Sequence, residues 1–126
     1  MKFLFLDDDE TRLAKVMSAC PWVDLARTAS EAILALQRQK WDLVSLDHDL
    51  GGEVFVDSDH LNTGMEVVRW IVEHKPKIGT IIVHSFNPIG AANMVDGLLN
   101  IGCRIMRIPF NPAVYSTLAL NTTRTS

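Results

Sequence analysis

Leu43-Val44-Ser45-Leu46-Asp47-His48-Asp49 decides how this chain is read: a short apolar run that opens directly onto acid. The pattern also stands near the start, where Phe3-Leu4-Phe5-Leu6 runs into Asp7-Asp8-Asp9. Short apolar runs bounded by polar residues read as fully buried strands. Such a strand has no packing reason to end in several carboxylates, because like charges repel and each one loses hydration on burial. The arrangement makes sense once a cation sits among them, either a hard divalent ion or one carried in by a phosphate. Function is therefore expected at one end of a sheet.

Outward from these stretches, strand-like and helix-like patterns alternate without repeats. A strand is expected over 2–6, followed by a helix over 10–19 that is capped near Asp9 and turns Leu13, Val16, Met17 and Cys20 inward. A short strand over 22–27 leads to the capping box Thr28-Ala29-Ser30-Glu31 and a helix to about 38, with Ile33, Leu34 and Leu36 apolar. The third strand is 43–46, and a long polar loop follows over 50–62. A helix over 65–73, with Val67, Val68, Ile71 and Val72 inward, stops at Lys75-Pro76. A fourth strand over 80–83 precedes Asn87-Pro88, which opens a helix to about 100 that Gly102 terminates. A fifth strand over 104–108 and a helix over 112–120 complete the pattern. Residues 1–120 are read as one domain and 121–126 as a frayed tail. Five β-α units imply a doubly wound α/β fold, a parallel sheet with helices on both faces. Ligands bind such folds at the carboxyl ends of the strands, where Asp7–Asp9, Asp47–Asp49 and His84-Ser85 all fall.

The 126 residues suffice for one core, and 48% apolar with 21% charged residues is ordinary for a soluble domain. A net charge of −3 gives no broad basic footprint for duplex nucleic acid, while a small phosphorylated ligand or an RNA terminus remains compatible. No apolar run reaches the roughly 20 residues of a membrane span, and Met1-Lys2 leads into only four apolar residues. Cys20 and Cys103 read as reduced core residues, so a cytoplasmic location is expected, that of the host if the protein is viral. Trp22, Trp41 and Trp70 have spacings that suit packing, and no aromatic platform for bases is legible in them. Oligomeric state is not legible.

The motifs resemble those of response-regulator receiver domains across nearly the whole chain. Asp7-Asp8 or Asp8-Asp9 fits the receiver acidic pair, Asp47 the phosphoacceptor and Ser85 the hydroxyl residue. The receiver lysine before proline is replaced by Ile108 before Pro109, with Arg107 one place early, which argues against conventional phosphorelay. Leu6-Asp7-Asp8-Asp9 with Arg12, the run Asp47-His48-Asp49-Leu50-Gly51, and His84-Ser85 resemble a divergent group, the cyclic-phosphate-processing receivers. The resemblance implies a flavodoxin-like sheet in the order 2-1-3-4-5 and an activity on cyclic phosphates.

Taken by themselves, the residues suggest metal chemistry. Asp7, Asp8, Asp47 and Asp49 are candidate ligands for Mg²⁺ or Mn²⁺, and a histidine added to the set would favour Mn²⁺, Fe or Zn²⁺. Asp47, His48 and His84 are the candidate catalytic groups, since a histidine titrates near neutrality and can protonate a leaving oxygen. Strand alternation places Asp47 and Asp49 on one face and His48 on the other, an argument that weakens where a strand ends. Arg12 and Ser85 are candidate phosphate contacts, although Arg12 can equally pair with a neighbouring acid. Asn87 would present a helix N-terminus to an anion, Gly51-Gly52 could form a backbone anion nest, and Thr63 is either a phosphate contact or a helix cap. His60, with Asp57 and Asp59, belongs to a loop that is either a lid or simply solvated. Three functions are compatible with these residues: a metal-dependent phosphoesterase acting on cyclic phosphates, a signalling switch phosphorylated on Asp47, and a non-catalytic module that binds a cyclic nucleotide or a protein.

Overall fold

The computed structural model describes residues 1–52 and 54–125, with side chains described to residue 119. Strands β1 (Phe3–Leu6), β2 (Asp24–Ala26), β3 (Trp41–Leu46), β4 (Ile78–Val83) and β5 (Arg104–Arg107) form one parallel sheet in the order β2-β1-β3-β4-β5. The helices are α1 (Glu10–Ala19), α2 (Ala29–Arg38), α3 (Gly64–His74), α4 (Pro88–Leu98) and α5 (Pro112–Thr125). Strand order reverses between β1 and β3, so the acid-rich ends of both strands meet at the switch point of the sheet.

Alternation along each strand divides the core in two. Leu4, Leu6, Val44, Leu46, Ile81 and Val83 pack beneath α2, α3 and α4. Phe3, Phe5, Leu43 and Ile82 pack on the opposite face against Leu13 and Val16 of α1 and Tyr115 of α5. The ladder continues one residue past the strands: the Asp7 N–H donates to Ala26, Asp47 to Leu6, His84 to Leu46 and Ile108 to Val83. The period-two rule therefore still holds in the row Asp7, Asp47, His84, Ile108, which lies on the α1–α5 side.

Several inward positions differ from the periodicity reading. Met17, Leu34 and Val72 are solvent-exposed. The inner stripe of α2 is made by Ala29, Ala32, Ala35 and Leu36, whose small side chains bring the helix close to the sheet and leave Leu34 outside. Trp22 is also exposed, whereas Trp41 is buried and donates its indole N–H to the Ala35 carbonyl at 3.1 Å. Both cysteines are free, with Cys20 buried and Cys103 half-buried. The last helix passes its expected end at residue 120 and runs through Thr125, because no Gly or Pro after Pro112 interrupts it. Only Ser126 of the expected frayed tail lies outside the described residues. Among the described residues no helix is long and apolar enough to cross a membrane.

One glycine fixes how α3 meets the site. A Cβ on Gly64 would stand 1.9 Å from the Asp47 carbonyl oxygen and 2.7 Å from Met94 Cε. Only hydrogen fits where the helix start crosses the backbone of the acid-bearing strand end. Gly64→Ala should destabilise the domain by ~2–5 kcal/mol, read as a fall in the urea midpoint with unchanged m-value. An unaltered midpoint would show that α3 can retreat from Asp47 without loss.

Candidate active site

The site begins with a carboxylate that water does not reach. Asp7 is 0% exposed, and neighbouring Asp47 only 5%. Three groups compensate Asp7: Arg12 donates Nε–H and Nη2–H to its two oxygens at 2.8 and 3.0 Å, His84 Nε2 lies 3.0 Å from Oδ2, and the Asp9 backbone N–H donates to Oδ1 at 2.9 Å. Arg12 arrives there because Asp9 caps α1 by accepting the Arg12 backbone N–H, which places residue 12 one turn above the acids. His84 lies flat on the Phe5 ring, with centroids 4.6 Å apart and planes 6° from parallel.

The partners of the imidazole set its tautomer. Nε2–H donates to Asp7, so Nδ1 accepts the Ser45 hydroxyl proton at 2.7 Å, and Ser45 Oγ accepts from the Tyr115 hydroxyl at 2.8 Å. Donation therefore runs one way, from α5 through β3 and β4 to β1. Burial outweighs the pull of Asp7 and lowers the His84 pKa, leaving the ring neutral at physiological pH. Burial alone would raise Asp7, but the hydrogen bonds from His84 and Arg12 overcome it and hold the carboxyl at about 2. Asp47 has no such support. Burial, then the charge of Asp7, pushes it up to about 8, against a partial pull from Arg12 Nη2 at 3.6 Å and the His48 N–H.

Asp8, Arg12, Asp47 and Ser85 line an open cavity of about 360 Å³ together with Phe86 and Val54. Arg12 is the only cation among the described residues that line it. Ligand atoms of Asp7, Asp47 and His84 lie within 4.8 Å of one another. Both His84 nitrogens are already engaged, and the Asp7 oxygens, which make no wall of the cavity, already accept from Arg12, His84 and the Asp9 N–H, so the open donors are the carboxylate oxygens of Asp47 and Asp8, with those of Asp7 behind them. Hard oxygens of this kind fit Mg²⁺ or Mn²⁺ better than Zn²⁺ or Fe. Carboxylates at a metal site are themselves held by hydrogen bonds, and His84 supplies one to Asp7.

Several expected site residues lie elsewhere. His84 is buried behind Asp7 and makes no wall of the cavity, so it positions Asp7 and is not placed to protonate a substrate. His48 points to the opposite face, as alternation requires, with Nδ1 2.8 Å from Asp49 Oδ1 and Nε2 2.9 Å from the Ser58 hydroxyl. A Cβ on Gly90 would come within 2.4 Å of the His48 ring, which is how tightly α4 covers it. Asp49 does line the cavity, but its oxygens are taken up in anchoring the loop. Its Oδ2 accepts from Phe55 N–H at 2.7 Å, and its Oδ1 from Val56 N–H and Asn87 Nδ2. Asn87 caps α4, accepting the Gly90 N–H that would otherwise greet an anion. Gly51 and Gly52 have positive φ (76° and 78°), and the Gly52 N–H is directed to Asp8 Oδ2, so the expected nest holds the protein's own carboxylate. Thr63 is a cap: it is buried, accepts from Glu66 N–H and donates to the His60 carbonyl.

The sequence reading missed Ser45, Tyr115 and Phe86. A serine inside an otherwise apolar strand was the available signal for Ser45, since a buried hydroxyl requires a partner. Tyr115, 70 residues away in sequence, gave no signal of its own.

Two outcomes follow for stability. The native pKa of Asp47, about 8, lies above the ordinary carboxylate value of about 4, so the folded state holds an extra proton between those limits and loses stability as pH rises through them. Asp47→Asn should therefore raise the Tm of the metal-free protein, by ~3–8 °C at pH 8 and hardly at all at pH 4. A gain independent of pH would refute a raised Asp47. Arg12→Met, which leaves Asp7 only the neutral His84 and the Asp9 N–H as partners, should cost ~2–4 kcal/mol in urea unfolding, a loss that Mg²⁺ or Mn²⁺ partly restores.

Residues 2–100 match the Cyclic-phosphate processing Receiver domain family. No curated protein matches the chain. The receiver domain of Francisella response regulator 1452 is 16% identical with a TM-score of 0.67, over 99% of this chain and 98% of that one. A CheY-like receiver domain protein from Methanospirillum hungatei is 17% identical with a TM-score of 0.65, over 96% and 91%. A Burkholderia pseudomallei response regulator, solved with a phosphorylated aspartic acid, a calcium ion and citrate, is 17% identical with a TM-score of 0.60, over 98% and 69%. These likenesses concern the fold, while the family match spans most of the chain and includes the strand ends that build the site. The chain belongs to the cyclic-phosphate processing receiver domain family.

Proposed function

We propose that this domain is a phosphodiesterase that opens cyclic phosphates of nucleotides or RNA ends with the help of a divalent cation. The observation that carries this reading is the pairing of Asp47 with Arg12, 3.6 Å apart, on the floor of an open cavity whose wall presents Ser85. Opening a cyclic diester adds one water across a P–O bond. The attacking water gives up a proton and the leaving oxygen gains one. With no cation bound, burial and the charge of Asp7 hold the Asp47 pKa at about 8; with one bound, Asp47 gives up that proton and is left to take the proton of the attacking water and pass it to the leaving oxygen. Arg12 offers N–H donors to the phosphate oxygens, and the Ser85 hydroxyl offers one more. Asp47 and Asp8, which line the cavity, with Asp7 behind them, would hold the cation, which when bound supplies a Lewis acid for the phosphoryl oxygen. His84 keeps Asp7 ionised and correctly turned.

A second reading takes Asp47 as a phosphoacceptor in signalling. It draws on the position of Asp47 after β3 and on the Burkholderia relative with its phosphorylated aspartic acid. Against it stands Ile108, packed in the core where receivers carry lysine, and no lysine lines the cavity among the described residues.

The test is hydrolysis of 2′,3′-cyclic and 3′,5′-cyclic nucleotides with Mg²⁺, Mn²⁺, Zn²⁺ or EDTA, comparing wild type with Asp47→Asn. Cation-dependent turnover that falls ~10²-fold or more in the variant is expected. Turnover that survives EDTA or Asp47→Asn would refute the mechanism. Absence of turnover together with acetyl-phosphate labelling of Asp47 would favour the switch instead.

A further inference from the structure

The cavity is charged at its floor and apolar at its mouth. Phe86 follows Ser85 directly, lines the cavity, and leaves 62% of its surface open to solvent. The Arg12 guanidinium carbon lies 5.7 Å from the Phe86 ring centroid, so the group that neutralises Asp7 also braces this ring. Val54, on the 50–62 loop, lines the same cavity and is 77% exposed. Phe55, next in the chain to Val54, and Ile89 border a second hollow of about 290 Å³ and are 73% and 76% exposed. Phe55 is held there in a left-handed backbone conformation (φ 52°) by the bond from its N–H to Asp49. Isolated exposed apolar residues carry no message, but two on the wall of one charged cavity, each followed in the chain by a residue of a second hollow that exposes two more, mark a binding surface. Phe55 adds backbone strain, which persists only where the surroundings enforce it.

We propose that Phe86 is a stacking platform for a nucleobase, so that the site takes nucleoside phosphates in preference to cyclic phosphates that lack a base. This rests on the phosphate site proposed above. Ser85 and Phe86 are adjacent in the chain and line the same cavity, so one bound molecule can meet both the phosphate contact and the platform. One side of the ring is backed by Arg12, and a planar base can stack on the part that solvent now covers. Stacking on an aromatic ring tolerates every base, since each has a π-face, so the discrimination is base against no base and not one base against another.

The test is calorimetric titration, with Mg²⁺ present, of adenosine 3′-monophosphate, cytidine 3′-monophosphate and glycerol phosphate into wild type, Phe86→Ala and Phe86→Tyr. Wild type should bind both nucleotides at least about fivefold more tightly than glycerol phosphate. Phe86→Ala should erase most of that preference, and Phe86→Tyr should keep it. Equal binding of all three ligands by wild type, or a preference that survives Phe86→Ala, would overturn the platform and leave the phosphate site standing. Binding of none of them would overturn both.

Discussion

Everything at this site depends on Asp7 being ionised where water cannot reach it. A lone buried carboxylate would take up a proton, yet this one receives a bidentate guanidinium on one side and an imidazole N–H on the other. The imidazole is fixed in turn by Ser45, and Ser45 by Tyr115, so a residue of the last helix orients an acid of the first strand. Burial raises the Tyr115 pKa further, which keeps its hydroxyl a donor at the head of this chain. Among the described residues, every buried side-chain polar atom in the fold has a partner.

The satisfaction of Asp7 leaves Asp47 short of positive charge. Arg12 commits its two closest bonds to Asp7 and reaches Asp47 only at 3.6 Å. Asp47 therefore sits half-compensated at the floor of the cavity, the state in which a carboxyl both exchanges a proton near neutral pH and gains most from an incoming cation. The other acids are spent differently. Asp9 caps α1, Asp49 ties down the 50–62 loop, and Asp8 accepts the Gly52 N–H. Of the acids at the two strand ends, Asp7 and Asp47 shape the charge at the floor, while the others shape the walls.

The same row explains how this chain departs from the receivers it resembles in fold. Ile108 is level with His84 across the ladder and packs into the α1–α5 core, where receivers carry a lysine. Positive charge in the cavity is left to Arg12, which enters from α1 instead of β5. Relocating the cation brings it against Phe86 as well, and this couples the charged floor to the apolar mouth.

The alternation of apolar runs with helix caps was enough to specify the doubly wound sheet and the edge at which the acids gather, because period-two burial and capping are local properties of the chain. Alternation also put His48 on the face away from Asp47, against its choice as a catalytic group, and it holds there because the ladder runs one residue past the strands. What each acid and histidine does was not local. Asp7, Asp8, Asp47 and Asp49 look alike in sequence, and their separate roles come from partners 5 to 77 residues away: Arg12 and His84 for Asp7, Gly52 for Asp8, Asn87 for Asp49. The pairing of Ser45 with Tyr115, and the meeting of Phe86 and Val54 on one cavity wall, likewise exist only once the helices have docked. A carboxyl's ionisation depends on what surrounds it in space, and tertiary structure alone decided that.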